Sequence, residues 1–171
     1  MSLRAKATQE KAIVREELRK ERWMPYAVLE QEEADILIDR IKKEAVPVMM
    51  NEPMKSLVKP LRLVALGVNQ VAKLIEEQNV RVLVLSMDNS MQDMCHHIVV
   101  MAKQFEIPIC VVPMSTSALG AIFNMKRVSV IGFRRVPSQA DNETLQDALI
   151  QMRSIQDFVI SKASTLNDIL S

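Results

Sequence analysis

Glycine is scarce in this chain, with three residues among 171. Gly67, Gly120 and Gly132 are far apart, so they form no glycine-rich loop of the kind that cradles the phosphates of a nucleotide. The scarcity excludes the common nucleotide-binding enzyme motifs.

Cysteine and histidine are equally rare, with two of each. Cys95 and Cys110 have neither a metal-ligand nor a redox spacing, and we predict that both are reduced core thiols of an intracellular protein. His96 and His97 are adjacent, so on a helix they point about 100° apart and cannot share a metal ion. No serine, cysteine or aspartate is placed by a local motif beside a base. We therefore expect a non-enzymatic protein without metal, cofactor or small-molecule substrate.

Long hydrophobic runs are also missing. No stretch approaches the roughly 18 apolar residues of a transmembrane helix, and the first 23 residues lack the apolar block of a secretory signal. Aromatic residues make up 4% of the chain, and twelve methionines, which are flexible core fillers, partly replace them. The length of 171 residues fits one globular domain that has no membrane partner.

The net charge of +1 conceals a segregation of charge along the chain. Residues 1–22 carry seven basic and four acidic side chains, and residues 23–54 carry three and seven. Residues 55–135 carry ten basic and five acidic side chains, whereas residues 136–171 carry two basic and five acidic side chains. The middle of the chain is therefore basic between acidic flanks, which suits a central surface that meets an anion.

The N-terminal third contains two predicted helices. Residues 8–22 form a charged helix that resembles an arm, and Trp23 to Tyr26 follow as a bulky anchor. Residues 28–45 form an amphipathic helix whose apolar positions are Ala34, Leu37, Ile38, Ile41 and Ala45. Three prolines indicate a linker at 46–60. We assign residues 1–26 to a basic arm and 27–171 to a single domain.

Strand and helix patterns alternate after the linker. Strands are predicted at 61–66, 80–87, 107–112 and 128–133, and helices at 67–78, 91–105, 115–124 and 142–170. This order predicts an α/β fold, a three-layer α-β-α sandwich with a central mixed four-stranded sheet, plus an N-terminal helical arm and a long C-terminal helix. The apolar side of that last helix is longer than one sheet face needs. It either folds back entirely on its own domain or partly meets a partner.

Polar residues at the start of the second predicted helix form the most informative stretch. Gly67 lies where a strand becomes a helix, and the free N–H groups of the following first turn favour a phosphate. Asn69 and Gln70 carry amides suited to base edges, and Lys73 lies one turn further on the same side. A similar transition occurs at residues 112–121, where Ser115, Thr116 or Ser117 caps a short helix. Both loops could lie at one end of the sheet.

The spacing of these residues resembles a known family. The matching elements are Gly67-Val68-Asn69-Gln70-x-x-Lys73, a buried strand, Ile107-Pro108 to Val112-Pro113, and Leu119-Gly120. This pattern, over roughly residues 28–150, resembles the kink-turn-binding superfamily, which includes archaeal ribosomal protein L-seven-Ae and the box C/D and H/ACA snoRNP core proteins.

Two further features resemble one branch of that superfamily, the thirty-eight-kilodalton protein subunits of ribonuclease P and MRP. One feature combines Leu66-Gly67-Val68-Asn69 with a strand that ends in an aromatic and two bases, residues 130–135. The other is the upstream block of residues 23–41.

The resemblance implies a role for each matching residue. Asn69 and Gln70 would recognise the sheared G·A pairs of a kink-turn, and Lys73 would contact the backbone. Asp88 would border the site, and the loop of residues 114–121 would cover the extruded nucleotide. The full predicted RNA-binding set is Gly67, Val68, Asn69, Gln70, Lys73, Asp88, Met114, Ser115, Ala118, Leu119, Gly120 and Ala121.

Two departures from the family pattern predict weaker autonomous RNA binding. Most kink-turn binders have Glu where this chain has Gln70, so the charge-assisted hydrogen bond of a carboxylate is missing. The basic residue that often follows the proline of the second loop is absent, since residues 114–116 are neutral. Lys126, Arg127, Arg134 and Arg135 are expected either to form one basic rim that neutralises phosphates or to be solvated surface charges.

Three functions remain open at this point. The first is an RNA-binding subunit of ribonuclease P or MRP in the nucleus and nucleolus, which supports tRNA 5′ or rRNA processing and contacts other protein subunits. The second is a snoRNP or ribosomal kink-turn protein. The third is a protein-interaction domain of the same fold that does not bind RNA.

Overall fold

The computed structural model describes residues 26–87 and 92–163, together with residues 5, 6, 8 and 9 near the N-terminus. Nearly all of the predicted arm lies outside these residues, as do Asp88 and the last eight residues of the chain. Tyr26, the end of the predicted anchor, is buried with 3% of its surface exposed.

The described chain forms helices and strands in alternation. The helices are α1 (Gln31–Arg40), α2 (Val46–Met50), α3 (Met54–Val58), α4 (Val68–Glu76), α5 (Gln92–Gln104), α6 (Thr116–Ile122) and α7 (Glu143–Lys162). A π-helical segment, Ile41–Ala45, joins α1 to α2, and a 3₁₀ turn, Lys59–Leu61, follows α3. The strands are β1 (Val64–Leu66), β2 (Val80–Ser86), β3 (Ile109–Val112) and β4 (Val130–Arg134).

The four strands form one mixed sheet in the order β1-β4-β2-β3. The strand β4 pairs antiparallel with β1 and with β2, and β3 pairs parallel with β2. Since β1 and β2 both run opposite to β4, the strands β1, β2 and β3 share one direction and β4 alone is reversed.

Alternating side chains of the sheet enter two separate cores. Val82 and Val84 face a core with α1, α6 and α7, whereas Leu83 and Leu85 face a core with α4 and α5. Period-two alternation in a strand whose four central residues are all apolar produces this division, because successive side chains point to opposite faces. The predicted three-layer α-β-α sandwich with a mixed sheet is confirmed.

The predicted linker at 46–60 is wrong in detail, since it contains α2, α3 and the 3₁₀ turn. Pro47 lies in the first turn of α2 and Pro53 immediately precedes α3. Proline is compatible with a helix start because its missing N–H would have no partner there in any case. The prolines therefore mark helix starts, and the first strand begins at Val64, three residues later than predicted.

The C-terminal helix folds back on its own domain and is shorter than predicted. Its residues Leu149, Met152, Ile155 and Val159 are fully buried in the core with α1. The helix ends at Lys162, because the backbone of Ala163 is extended. The Ala163 N–H donates to the Ile160 carbonyl at 3.1 Å. The expectation of a helix to residue 170 thus fails at 163, and the residues beyond are outside the described part of the chain.

The two edges of the sheet differ. A bridge from Val28 to Val111 covers the outer side of β3, and the Leu29 N–H donates to the Val111 carbonyl at 2.9 Å. At the other edge, β1 borders a groove. None of the helices in the described part of the chain is long and apolar enough to cross a membrane.

We predict that Cys110 resists alkylation in the folded protein. Burial and, to a smaller extent, the Glu33 carboxylate together raise the pKa of its thiol from the ordinary 9.0 to about 12, against the opposing effect of Lys162. The thiolate, which is the reactive form, is therefore scarce at about pH 9 in the fold and abundant after unfolding. Its contribution to stability is complete below the unfolded pKa and decreases as the pH rises towards the folded pKa.

Peptide mass spectrometry after iodoacetamide treatment, with and without guanidinium, measures this difference. Equal labelling of Cys110 under both conditions would contradict its burial.

Candidate nucleic-acid interface

Several loops meet at one end of the sheet. Because β1, β2 and β3 share a direction, their C-terminal ends lie together, beside the N-terminal end of the reversed strand β4. We call this the loop end; among described residues it comprises residues 67, 87, 113–115 and 125–129. The prediction that the segments after Leu66 and Val112 converge is therefore correct.

Backbone hydrogen bonds from residues 128–130 hold the loop end together. This segment bonds to the last residue of β2 and to the chain segments that follow β1 and β3. The bonds run from Val128 N–H to the Thr116 carbonyl at 3.0 Å, from Ser86 N–H to the Ser129 carbonyl at 2.9 Å, and from Gly67 N–H to the Val130 carbonyl at 2.9 Å.

The turn from β1 into α4 requires glycine. Gly67 has φ +89° and ψ 164°, a backbone conformation that is essentially restricted to glycine. It lets the chain reverse within one residue, so that α4 begins at Val68 and presents its first turn at the loop end. No side chain caps this helix start. The first-turn N–H groups and the positive end of the helix dipole thus remain available to an anion.

The predicted recognition residues lie on the exposed side of α4. Asn69, Gln70 and Lys73 are all exposed. The Gln70 Oε1 atom accepts a hydrogen bond from the Leu66 N–H at 3.2 Å. This bond fixes the orientation of the amide, so its NH₂ group is the part that can reach a ligand as a double donor.

The second predicted loop is tied to β2. The Ser86 hydroxyl, buried at the end of β2, donates to the Met114 carbonyl at 2.5 Å, and Met87 N–H bonds the Val112 carbonyl at 3.0 Å. Ser115 caps α6 by accepting from the Ala118 N–H at 3.1 Å, so one of the three proposed cap residues is confirmed.

Two residues of this loop are buried and contribute to packing. Leu119 is fully buried in the core with α1 and α7, so it does not face a nucleotide as predicted. Gly120 is also buried, and a Cβ atom there would lie 2.8 Å from the Met125 carbonyl oxygen. Ala118 and Ala121 are exposed and Met114 is half-buried, so these side chains remain candidates for apolar contact.

The four predicted rim cations do not form one rim. Lys126 and Arg127 lie before β4, at the loop end, whereas Arg134 and Arg135 follow at its other end. A five-residue strand separates the pairs by roughly 15 Å. The length of β4 sets this separation, and its reversed direction places Lys126 and Arg127 at the loop end in place of Arg134 and Arg135. Arg134 pairs with Glu77 at 3.5 Å.

Sequence reasoning missed the residues that position the loops, namely Ser86 and residues 128–130. A serine at the end of a buried β-branched strand was the available signal, because a buried hydroxyl requires a hydrogen-bond partner. Asp88, predicted to border the site, lies outside the described residues. The two histidines of α5 are exposed, and the described residues contain no cluster of three or more potential metal ligands.

The fold and the loop end define a protein class: a three-layer sandwich that presents a glycine-initiated helix and a capped loop at the same end of its sheet. The model of the Ribosomal protein L7Ae/L30e/S12e/Gadd45 family matches residues 49–144. The chain belongs to this family of non-catalytic, RNA-binding proteins.

Comparison with solved structures gives a likeness to the "15.5kD RNA binding protein" of Giardia lamblia. Sequence identity is 15% and the TM-score is 0.49, over 80% of this chain and 97% of that one. A comparison with curated protein sequences gives no match.

We predict that Gly120→Ala destabilises the protein. Within a helix, alanine normally increases stability by up to about 1 kcal/mol relative to glycine. Here the added Cβ would also lie 2.9 Å from the Arg127 Cα, so backbone must move. Overpacking of this kind costs about 1–3 kcal/mol and outweighs the gain.

Urea denaturation measures the change, with the exposed Ser117→Ala in the same helix as control. A Gly120→Ala variant as stable as the wild type would show that residues 125–127 do not pack tightly on α6.

Proposed function

We propose that this protein binds kink-turn RNA at the loop end as an architectural, non-catalytic subunit of a ribonucleoprotein. One observation carries the proposal: Asn69, Gln70 and Lys73 are exposed on the first turns of α4, at the same end of the sheet as the capped loop of residues 113–121. Membership of an RNA-binding family supports it.

The geometry assigns a distinct task to each element. The amides of Asn69 and Gln70 reach the edges of sheared G·A pairs, where bidentate contacts are worth about 1–3 kcal/mol. Lys73 and the free N–H groups of α4 meet phosphates. Met114, Ala118 and Ala121 offer apolar contact to an extruded nucleotide. The hydrogen bonds of residues 128–130 keep these elements in register without the RNA.

The particle that we propose is ribonuclease P or MRP, with the protein in the nucleus and nucleolus. The resemblance of residues 66–69 and 130–135 to protein subunits of that enzyme supports this choice. The RNA would perform phosphodiester hydrolysis in tRNA 5′ or rRNA processing, while this chain contributes shape and charge beside other protein subunits. A snoRNP or ribosomal particle is the alternative within RNA binding.

A second candidate is a protein-interaction domain that does not bind RNA. Two observations favour it: the Gln70 carbonyl oxygen is engaged by Leu66, and residues 114–116 carry no charge. Both reduce what the loop end offers to RNA.

We predict that Asn69→Ala combined with Lys73→Ala reduces the affinity for a kink-turn RNA to that for an RNA whose G·A pairs are replaced by Watson–Crick pairs. The loss of one base contact and one phosphate contact should weaken the affinity for the kink-turn roughly 30-fold or more. Lys103→Ala with Gln104→Ala, at the exposed end of α5 away from the loop end, makes the same charge change as a control. Fluorescence anisotropy measures all three proteins.

Equal binding by the double variant would disprove the site assignment. If the wild type does not distinguish the two RNAs, the protein-interaction candidate is the better one. Crosslinking in cells then identifies the particle: enrichment of ribonuclease P or MRP RNA supports our choice, and enrichment of small nucleolar or ribosomal RNA supports the alternative.

We also predict that Gln70→Glu tightens kink-turn binding several-fold. A carboxylate can keep the hydrogen bond from the Leu66 N–H with one oxygen and offer the other to guanine as a charge-assisted acceptor. Isothermal titration calorimetry with the same RNA pair measures the gain. Weaker binding by the glutamate variant would indicate that the RNA presents an acceptor to the Gln70 NH₂ group.

A further inference from the structure

A groove with a volume of 560 Å³ runs beside the open edge of β1. It lies between that strand, α4 and the short helices α2 and α3. Apolar side chains of Leu63, Val64 and Leu74 line its inner part. We call it the β1 groove.

Basic side chains dominate the wall of the β1 groove. Lys55, Lys59, Arg62, Lys73 and Arg134 line it, against the single carboxylate of Glu77. Arg134 pairs with that carboxylate, whereas the other four cations form no ion pair among the described residues.

The pattern differs on the opposite side of the sheet. There Arg40, Lys43, Arg81 and Lys162 each pair with a carboxylate of α1, α7 or the π-helical segment. Among the described residues Lys42 and Arg153 on that side also have no ion pair, but the β1 groove gathers four such cations around one low-dielectric floor, which strengthens their combined field.

The β1 groove is continuous with the loop end. Gln70 and Lys73 belong both to the groove lining and to the candidate recognition residues on α4. From Gln70 the groove follows α4 to Glu77, a rise of roughly 10 Å. Arg134 also lines a second cavity of 400 Å³ with Arg135, so the basic surface extends to the far end of β4.

We infer that one RNA strand leaving the kink-turn runs along the β1 groove, and that Lys55, Lys59 and Arg62 neutralise its phosphates. This inference rests on the proposed function and enlarges its footprint. The Lys55–Lys59 spacing of one helical turn places both cations on the same side of the chain.

An acidic protein segment is the other occupant of matching charge, and the structure disfavours it. An extended segment would bind by adding a strand to β1, which supplies main-chain hydrogen bonds. Here β1 has three residues, and the Leu66 N–H already donates to Gln70. Little of the edge remains for strand addition, whereas phosphates need only the cations.

The test compares the triple variant Lys55→Gln/Lys59→Gln/Arg62→Gln with the wild type on two classes of RNA. The first class is a minimal kink-turn. The second class consists of two longer RNAs, each of which extends the stem on one side of the kink. A matched control, Lys42→Gln/Lys43→Gln/Lys103→Gln, removes equal charge from exposed positions elsewhere. Melting temperatures verify folding, and anisotropy titrations at several salt concentrations give affinities and salt slopes.

We expect the triple variant to bind the minimal kink-turn as the wild type does. On one extended RNA its affinity should fall about tenfold or more. Its salt slope there should decrease by about two to three, because each phosphate that the protein no longer neutralises lowers the slope by roughly 0.9. The charge-matched control should keep the wild-type slope.

Equal affinity and slope for triple variant and wild type on every extended RNA would overturn the inference while leaving the proposed function intact. Loss of affinity for the minimal kink-turn would also overturn it, because the cations would then act at the loop end. Binding of a polyglutamate peptide that the triple variant abolishes, with RNA affinity unchanged, would assign the groove to an acidic protein segment. A wild type that binds no kink-turn RNA would overturn both proposals.

Discussion

The three backbone hydrogen bonds of residues 128–130 are the constraint on which the candidate interface depends. They connect one segment to Gly67, Ser86 and Thr116, which follow β1, end β2 and follow β3, respectively. Each loop alone would be free to move, since loops have few buried contacts. Tied to a common segment, the start of α4 and the cap of α6 keep a fixed relation, and an RNA would not have to order them on binding.

The local parts of this arrangement could be predicted from the sequence. Val80 to Ser86 is rich in valine and leucine, α4 has three-to-four-residue periodicity, and Ser115 is a typical cap residue. Three observations could not be predicted locally. The direction of β4, which places Lys126 and not Arg134 at the loop end, is fixed by pairing across the sheet, and the burial of Leu119 depends on α1 and α7. Residues 46–58 form two short helices, but their prolines are equally compatible with helix starts and with a linker.

Gln70 shows how backbone context changes the chemistry of a side chain. An amide offers donors and an acceptor in equal measure, and in isolation it can substitute for a carboxylate as acceptor. The Leu66 N–H, directed away from β4 at the end of the edge strand, takes up that acceptor. Gln70 therefore presents hydrogen-bond donors at a position where a glutamate would present an acceptor. A comparison of residue types alone does not show this difference.

The open edge of β1 has a consequence for the protein before it meets any ligand. An edge strand is a template for pairing with another copy, and natural sheets often protect such edges with short strands and lysine; among the described residues no strand pairs with the outer side of β1. The chain covers β3 with its own segment at Val28 and leaves β1 flanked by Lys55, Lys59 and Arg62. Two copies that approach edge to edge bring these like charges together, so their mutual repulsion opposes such pairing.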